Sequence, residues 1–181
     1  VVAASLIAGI DVGLVACGVV VIDVAASPPS VVRYATLRTE RQAGKRGLRV
    51  ADDDARRATE LAVWLRERLA GVRGVVAELP TAGAQGARAN RSMGLSTGIV
   101  VATIALAGLP AEWVTPGEGK KAATGRRDGS KEQVQAAVFE RLRWPTLGRY
   151  AWEREHVADA AAAVLAAWEG TLVRIARQAV A

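Results

Sequence analysis

The chain has 181 residues, 51% of them apolar, with 24 Lys and Arg against 18 Asp and Glu and a formal net charge of +6. That length suits a single domain over residues 1–181 with a sizeable core, and the basic balance points to a polyanionic partner, nucleic acid before membrane. Cys17 is the only cysteine, which excludes an intrachain disulfide and a thiolate zinc cluster; in its apolar run it reads as a buried structural thiol.

Residues 5–11 and 15–24, in LIAGIDVGLVACGVVVID, read as two Val- and Ile-rich strands joined by a tight glycine turn. Asp11 and Asp23 divide this apolar stretch. A carboxylate at mid-bilayer costs on the order of 3 kcal/mol. Residues 1–26 are therefore expected to be strands of a soluble, non-secreted protein of the cytoplasm, or of an organellar or viral-host nucleic-acid compartment, with neither span nor leader. The turn Ser27-Pro28-Pro29-Ser30 leads into a third strand from Val31 to Thr39, completing an antiparallel meander.

Residues 40–50 form a basic, glycine-punctuated loop. Asp52, Asp53 and Asp54 open a helix that buries Leu61, Trp64, Leu65 and Leu69 and ends at Gly71; the aspartates read as capping and solubility residues. Val72 to Leu79 is a fourth strand ending at Glu78, followed by a basic loop over residues 80–91 and a helix of small residues over 92–108. Ala111 to Val114 is a brief fifth strand, and Pro116 starts a helix or turn. Residues 117–131, GEGKKAATGRRDGSK, are the densest basic stretch. A helix from Lys131 to Leu142, a loop over 143–154 carrying Trp144, Pro145, Tyr150 and Trp152, and a last helix from Glu155 to Ala179 complete the chain. The order predicts an α/β fold, a mixed five-stranded sheet with three antiparallel strands and then two parallel ones, flanked by helices.

Two strands that otherwise read as buried end in an acid, Asp11 on the first and Glu78 on the fourth. Lone buried carboxylates are expensive and two at one sheet edge repel; a divalent cation removes both costs, and hard oxygens suit Mg²⁺ or Mn²⁺. His156 and Asp159 lie three residues apart on one face of the last helix, whose remainder is almost wholly Ala, Val and Leu and so packs closely on something flat. If that is the sheet, all four side chains surround one small volume. Taken singly, each also has a plain reading as turn, strand end or helix cap.

These stretches resemble the RuvC family of Holliday-junction resolvases, which have the ribonuclease H-like fold. The match is carried by GIDVG with Asp11, VVAEL with Glu78 and HVADAAAAVLAAW with His156 and Asp159, and further by SMGLSTGIVVA and GKKAATGRRDGSKEQVQAAV. The resemblance implies a metal-dependent endonuclease that hydrolyses one phosphodiester in each of two opposed strands of a four-way DNA junction. It implies two Mg²⁺ or Mn²⁺ ions held by Asp11, Glu78, His156 and Asp159, with His156 alternatively handling the proton of the attacking water. Lys131 would offset charge on the reacting phosphate, and Lys120 or Lys121 would hold a neighbouring one. Arg126, Arg127, Arg88 and Arg91 would contact DNA backbone. Two symmetric cuts imply a homodimer, with the helices at 92–108 and 52–70 as candidate interfaces. The family's aromatic residue after the glutamate has no counterpart in LPTAGAQGARANR.

Other readings stay open at this level. One is a nuclease of the same fold acting on other branched DNA or on RNA. Another is an actin-like phosphotransferase, whose first phosphate turn GIDVG also resembles. A third is a DNA-binding module without chemistry.

Overall fold

Successive side chains of a strand point to opposite faces, and this rule sorts the apolar positions of the central strands into two cores. In the computed structural model, which describes residues 5–44, 47–80, 86–144 and 151–179, β1 (Leu6–Asp11), β2 (Ala16–Asp23) and β3 (Ser30–Arg38) form the antiparallel meander. β4 (Gly74–Glu78) pairs parallel with β1, and β5 (Ala111–Val114) pairs parallel with β4. The order is β3-β2-β1-β4-β5, so β1 is the central strand of the expected mixed sheet.

On one face, α1 (Val50–Arg68) and α2 (Ala87–Leu106) pack Leu61, Leu65, Val100 and Ile104 against Ala8, Ile10, Val19 and Val75. Cys17 belongs to this core; burial, and then the neighbouring charge of Asp11, drives its thiol pKa far above the ordinary range, as suits a structural thiol. The other face is covered by α3 (Pro116–Thr124), α4 (Lys131–Arg141), α5 (Ala151–Ala166) and α6 (Thr171–Gln178), which bury Ile7, Val20, Ile22 and Val76.

The α5 helix lies directly on the central strands because two strand positions lack a side chain. A β-carbon on Gly9 would sit 2.0 Å from the carbonyl oxygen of Ala160, and one on Gly18 would sit 2.4 Å from that of His156. The run of alanines in α5 keeps its own surface thin, so backbone meets backbone. Gly9 in the GIDVG stretch is thus required by close approach.

Several boundaries differ from the sequence expectation. The α2 helix begins at Ala87, so Arg88 and Arg91 lie on its first turns and not in a loop. Ala and Arg favour helix, and the absence of an apolar stripe there reflects exposure. The α5 helix is already formed at Ala151, inside the expected 143–154 loop; Pro145 and Tyr150 of that loop lie outside the described residues. The expected single last helix breaks after Ala166. Gly170 provides the N-cap of α6, and the Glu112 carboxylate accepts the Leu172 N–H at 2.7 Å. As expected, Pro116 starts a helix: α3 is opened by a capping box between Thr115 and Glu118 and closed at Gly125 (φ +80°).

Asp53 and Asp54 also differ from expectation, whereas Asp52 stays in the first turn of α1, paired with exposed Arg49. The N-cap of α1 is Arg49, with no side-chain cap bond. Asp53 is 0% exposed and accepts the N–H groups of Gln42 and Ala43, each at 3.0 Å, and the guanidinium of Arg56, stitching the post-β3 segment onto α1. Asp54 accepts from Arg91 of α2. Among the described residues, no helix is long and apolar enough to cross a membrane.

Gly9→Ala is expected to lower stability by about 3 kcal/mol or more, because backbone must move. Gly117→Ala, where a β-carbon meets nothing within 4 Å, should leave stability nearly unchanged. Urea denaturation of the two variants checks this; equal midpoints would contradict the packing of α5.

Candidate active site at the rim of the sheet

The strand register sets the site. Ile10 pairs with Ala77 across the parallel β1–β4 ladder, so Asp11 and Glu78 follow at the same end of neighbouring strands. Ile10 and Ala77 face the α1–α2 core, so by alternation Asp11 and Glu78 face the side covered by α5. The α5 helix brings His156 and Asp159 over this edge, one helical turn apart.

His156 touches Asp11, with Nδ1 2.6 Å from Oδ2. With Asp11 ionised, the Nδ1–H donates and Nε2 is the ring nitrogen left for a ligand or a proton. This bond raises the imidazole pKa above its ordinary value, against the opposing effect of burial. Burial, and then repulsion from Asp11 and Asp159, pushes Glu78 up to about 8, with Lys120 pulling the other way. Burial, and then repulsion from Asp11 and Glu155, pushes Asp159 up to about 6, opposed by Lys131 and His156. The four residues singled out in the sequence thus form one electrostatically coupled group.

As they stand, no three His, Cys, Asp or Glu side chains among the described residues form a ready-made coordination shell. Asp11 spends one oxygen on His156. The donor chemistry nevertheless fits a divalent cation. Three hard carboxylates converge at one rim, and burial, with the added repulsion of Asp11, holds Glu78 and Asp159 above the usual carboxylate range. Asp11, Glu78 and Asp159 could hold such an ion, with His156 beside them.

The cations predicted around the site divide into two groups. Lys131, at the first position of α4, pairs with Glu155 of α5, and that bond raises its pKa. Lys120 acts on Glu78 through charge, and Lys121 is exposed one residue on. Arg126 and Arg127 are exposed on the α3–α4 turn, where Arg126 makes a two-pronged pair with Asp128 at 2.8 and 3.0 Å. Arg91 is tied to Asp54, whereas Arg88 is exposed at the start of α2. Sequence reasoning missed four contributors. Glu155 holds Lys131. Trp152 meets the His156 ring at 6.3 Å, edge to face, and Arg38 lies 5.5 Å over Trp152. Arg57 lines the space beside Asp11. The helical spacing of Trp152 and His156 was the available signal for one of them; the others depend on tertiary contacts.

The fold that carries these residues has solved counterparts. RuvC of Thermus thermophilus in complex with a Holliday junction substrate matches with a TM-score of 0.73 at 22% identity, over 97% of this chain and 97% of that one. A second Thermus thermophilus RuvC structure gives 0.71 at 23% identity over the same shares, 97% and 97%. The yeast mitochondrial Holliday junction resolvase gives 0.59 at 12% identity, covering 97% of this chain and 84% of that one. The chain therefore has the RuvC-type, ribonuclease H-like fold. No family model and no curated protein matches its sequence.

The raised carboxyl groups have a consequence for stability. Glu78 and Asp159 bind protons more tightly folded than unfolded. Their contribution is therefore most favourable below the ordinary carboxylate range and is lost as pH rises through about 6 and about 8. In EDTA, Glu78→Gln is expected to melt several degrees above the parent at about pH 8.5, with the gap closing towards about pH 4.5. A variant that melts lower at the alkaline end would contradict the repulsion. Thermal scans across pH decide it.

Proposed function

We propose that the chain is a divalent-metal-dependent endonuclease that resolves four-way DNA junctions by paired phosphodiester hydrolysis. One observation carries this reading: on a RuvC-type fold, the acid at the end of the central strand is bonded to His156 of α5 and coupled by charge to Glu78 and Asp159. The basic surface beside it and the net charge of +6 suit a phosphodiester substrate. The match to a RuvC bound to a Holliday junction supports branched DNA as the substrate class.

In this reading Asp11, Glu78 and Asp159 hold Mg²⁺ or Mn²⁺, two ions per site, with His156 as a fourth ligand or as the group that handles the proton of the attacking water. Bound there, the metal supplies a more acidic water and charge stabilisation for the departing 3′-oxygen. The residues do the rest. His156 fixes the orientation of the Asp11 carboxylate through Nδ1, and its Nε2 faces the choice of ligand or proton. Lys131 is held beside Asp159 by Glu155, where its ammonium offsets negative charge gathering on the reacting phosphate. Lys120, whose charge already reaches Glu78, holds the adjoining phosphate, and Lys121, Arg126, Arg127, Arg88 and Arg91 contact backbone further out. The protein then works in the compartment that holds its DNA.

Two opposed cuts need two sites, and the outward face of α2 supports a homodimer. Gly94, Gly98, Val101, Ala102 and Ala105 are all exposed at helical spacing, with Leu106 beside them at 90% exposed. Small residues there let a second copy approach closely, and a twofold pair matches the symmetry of a junction.

Asp11→Asn is expected to abolish cutting of a synthetic four-way junction in Mg²⁺, by at least about a thousandfold, while junction binding stays within a few-fold. Normal cutting by this variant would refute the site. A panel of junction, replication fork, flap, duplex and RNA–DNA hybrid separates a resolvase from a nuclease of other branched substrates. In sedimentation equilibrium the parent should be a dimer and Val101→Glu a monomer that still binds junction weakly; a monomeric parent would remove the α2 interface.

A further inference from the structure

The backbone of His156 is fixed more firmly than its ring. Its carbonyl oxygen lies against Gly18, the partner of Asp11 in the β1–β2 ladder, where a β-carbon would meet it at 2.4 Å. The ring is bonded to Asp11 through Nδ1 at 2.6 Å. The χ2 torsion of a histidine is broad and roughly two-fold, so rotation about it can take Nδ1 off the carboxylate and put Cδ2 in its place. The side chain is 24% exposed, and water competes for both partners of the bond. A single hydrogen bond at the solvent edge does not by itself hold one orientation.

A second set of contacts bears on the same ring. Trp152 lies four residues before His156 on α5, so the two side chains share a helix face. Their rings meet edge to face, with centroids 6.3 Å apart and planes at 62°, inside the range in which aromatic pairs attract. Trp152 is held in turn from the sheet: Arg38 Cζ lies 5.5 Å over its ring, close enough for cation–π attraction. Arg38 is the last residue of β3 and pairs with Ala16, so it stands at the same end of the sheet as Asp11. The contacts therefore run from β3 through Arg38, Trp152 and His156 to Asp11 of β1. They tie the first turns of α5 to the sheet at two places, and the imidazole lies between them.

We propose that Trp152 is a positioning residue: packed against His156 and pinned by Arg38, it holds the imidazole with Nδ1 on Asp11 and leaves Nε2 as the nitrogen that acts. That Nε2 acts on a metal or a proton rests on the nuclease reading above. The chain thus sets its histidine before any ligand arrives, through a cation and an aromatic ring that touch neither the strand-borne acids nor Asp159.

His156 is the only histidine, so its ring resonances identify themselves. The first reading is the exchange of its Nδ1–H with water, followed by ¹H–¹⁵N NMR in EDTA at fixed pH. Exchange requires the bond to open, so its rate follows the opened population. Trp152→Leu keeps apolar bulk without a π-system, and Trp152→Phe keeps a ring. Exchange should be faster by roughly two- to tenfold in Trp152→Leu and near the parent in Trp152→Phe, the size of an aromatic contact beyond its buried area. Arg38→Gln, at an exposed position, should lie between them, and it carries the comparison where Trp152→Leu does not fold. The second reading is single-turnover cutting of a four-way junction in Mg²⁺ at saturating protein. Trp152→Leu should slow the rate by a similar factor while junction affinity stays within about twofold, and Trp152→Phe should restore it. Leu and Phe variants that exchange alike, or a parent whose Nδ1–H has no protection, would overturn the assignment, because packing alone would then account for Trp152. Faster exchange with parent-like cutting in Trp152→Leu would overturn the positioning role as well. A parent that cuts no junction would overturn the nuclease reading, and the exchange rates would still decide whether Trp152 holds the ring.

Discussion

A helix backbone lies against the middle of the sheet at two points where the strands have no side chains. The carbonyl oxygens of Ala160 and His156 occupy the space that β-carbons on Gly9 and Gly18 would need. Everything at the rim follows from that approach. With α5 held at this height, the imidazole of His156 reaches the Asp11 carboxylate at 2.6 Å, and Asp159 arrives within the field of both strand-borne acids. A helix standing off by the width of one methyl group would leave Asp11 without the imidazole that now meets it.

The cost of this arrangement is electrostatic. Glu78 and Asp159 are held well above their ordinary proton affinities by burial and then by the charge of Asp11. The ion pairs elsewhere in the chain are not opposed in this way. Arg49 pairs with Asp52, Arg56 with Asp53 and Glu60, and Arg126 with Asp128. The excess of basic residues is thus partly spent inside the molecule. Among the basic residues beside the rim are Lys120, whose charge reaches Glu78, and the arginines that line the cleft next to Asp11.

Much of this was legible in the sequence, for reasons that particular residues show. The sheet could be read because its strands are Val- and Ile-rich and bounded by glycine and proline, and the acids at positions 11 and 78 stood out against apolar neighbours. The HVADAAAA stretch carried both the ligand spacing and the thin surface that close packing requires. What could not be read were effects of long-range contact. Asp53 looked like a solvated cap and is a buried anchor for residues 42 and 43. Nothing in the sequence singled out Arg57, which is almost wholly enclosed. The start of α2 lacked apolar periodicity because its first turns face outward, and the break before α6 depends on Glu112 from a distant strand.

Metal binding itself is the most direct trial of the claim that Asp11, Glu78 and Asp159 act as one anionic group. Free Mn²⁺ can be followed by its electron paramagnetic resonance signal as protein is added. The parent should deplete that signal saturably, and Asp11→Asn, Glu78→Gln and Asp159→Asn, each confirmed folded, should each weaken the depletion by at least tenfold. Depletion by all three variants as strong as by the parent would contradict the account.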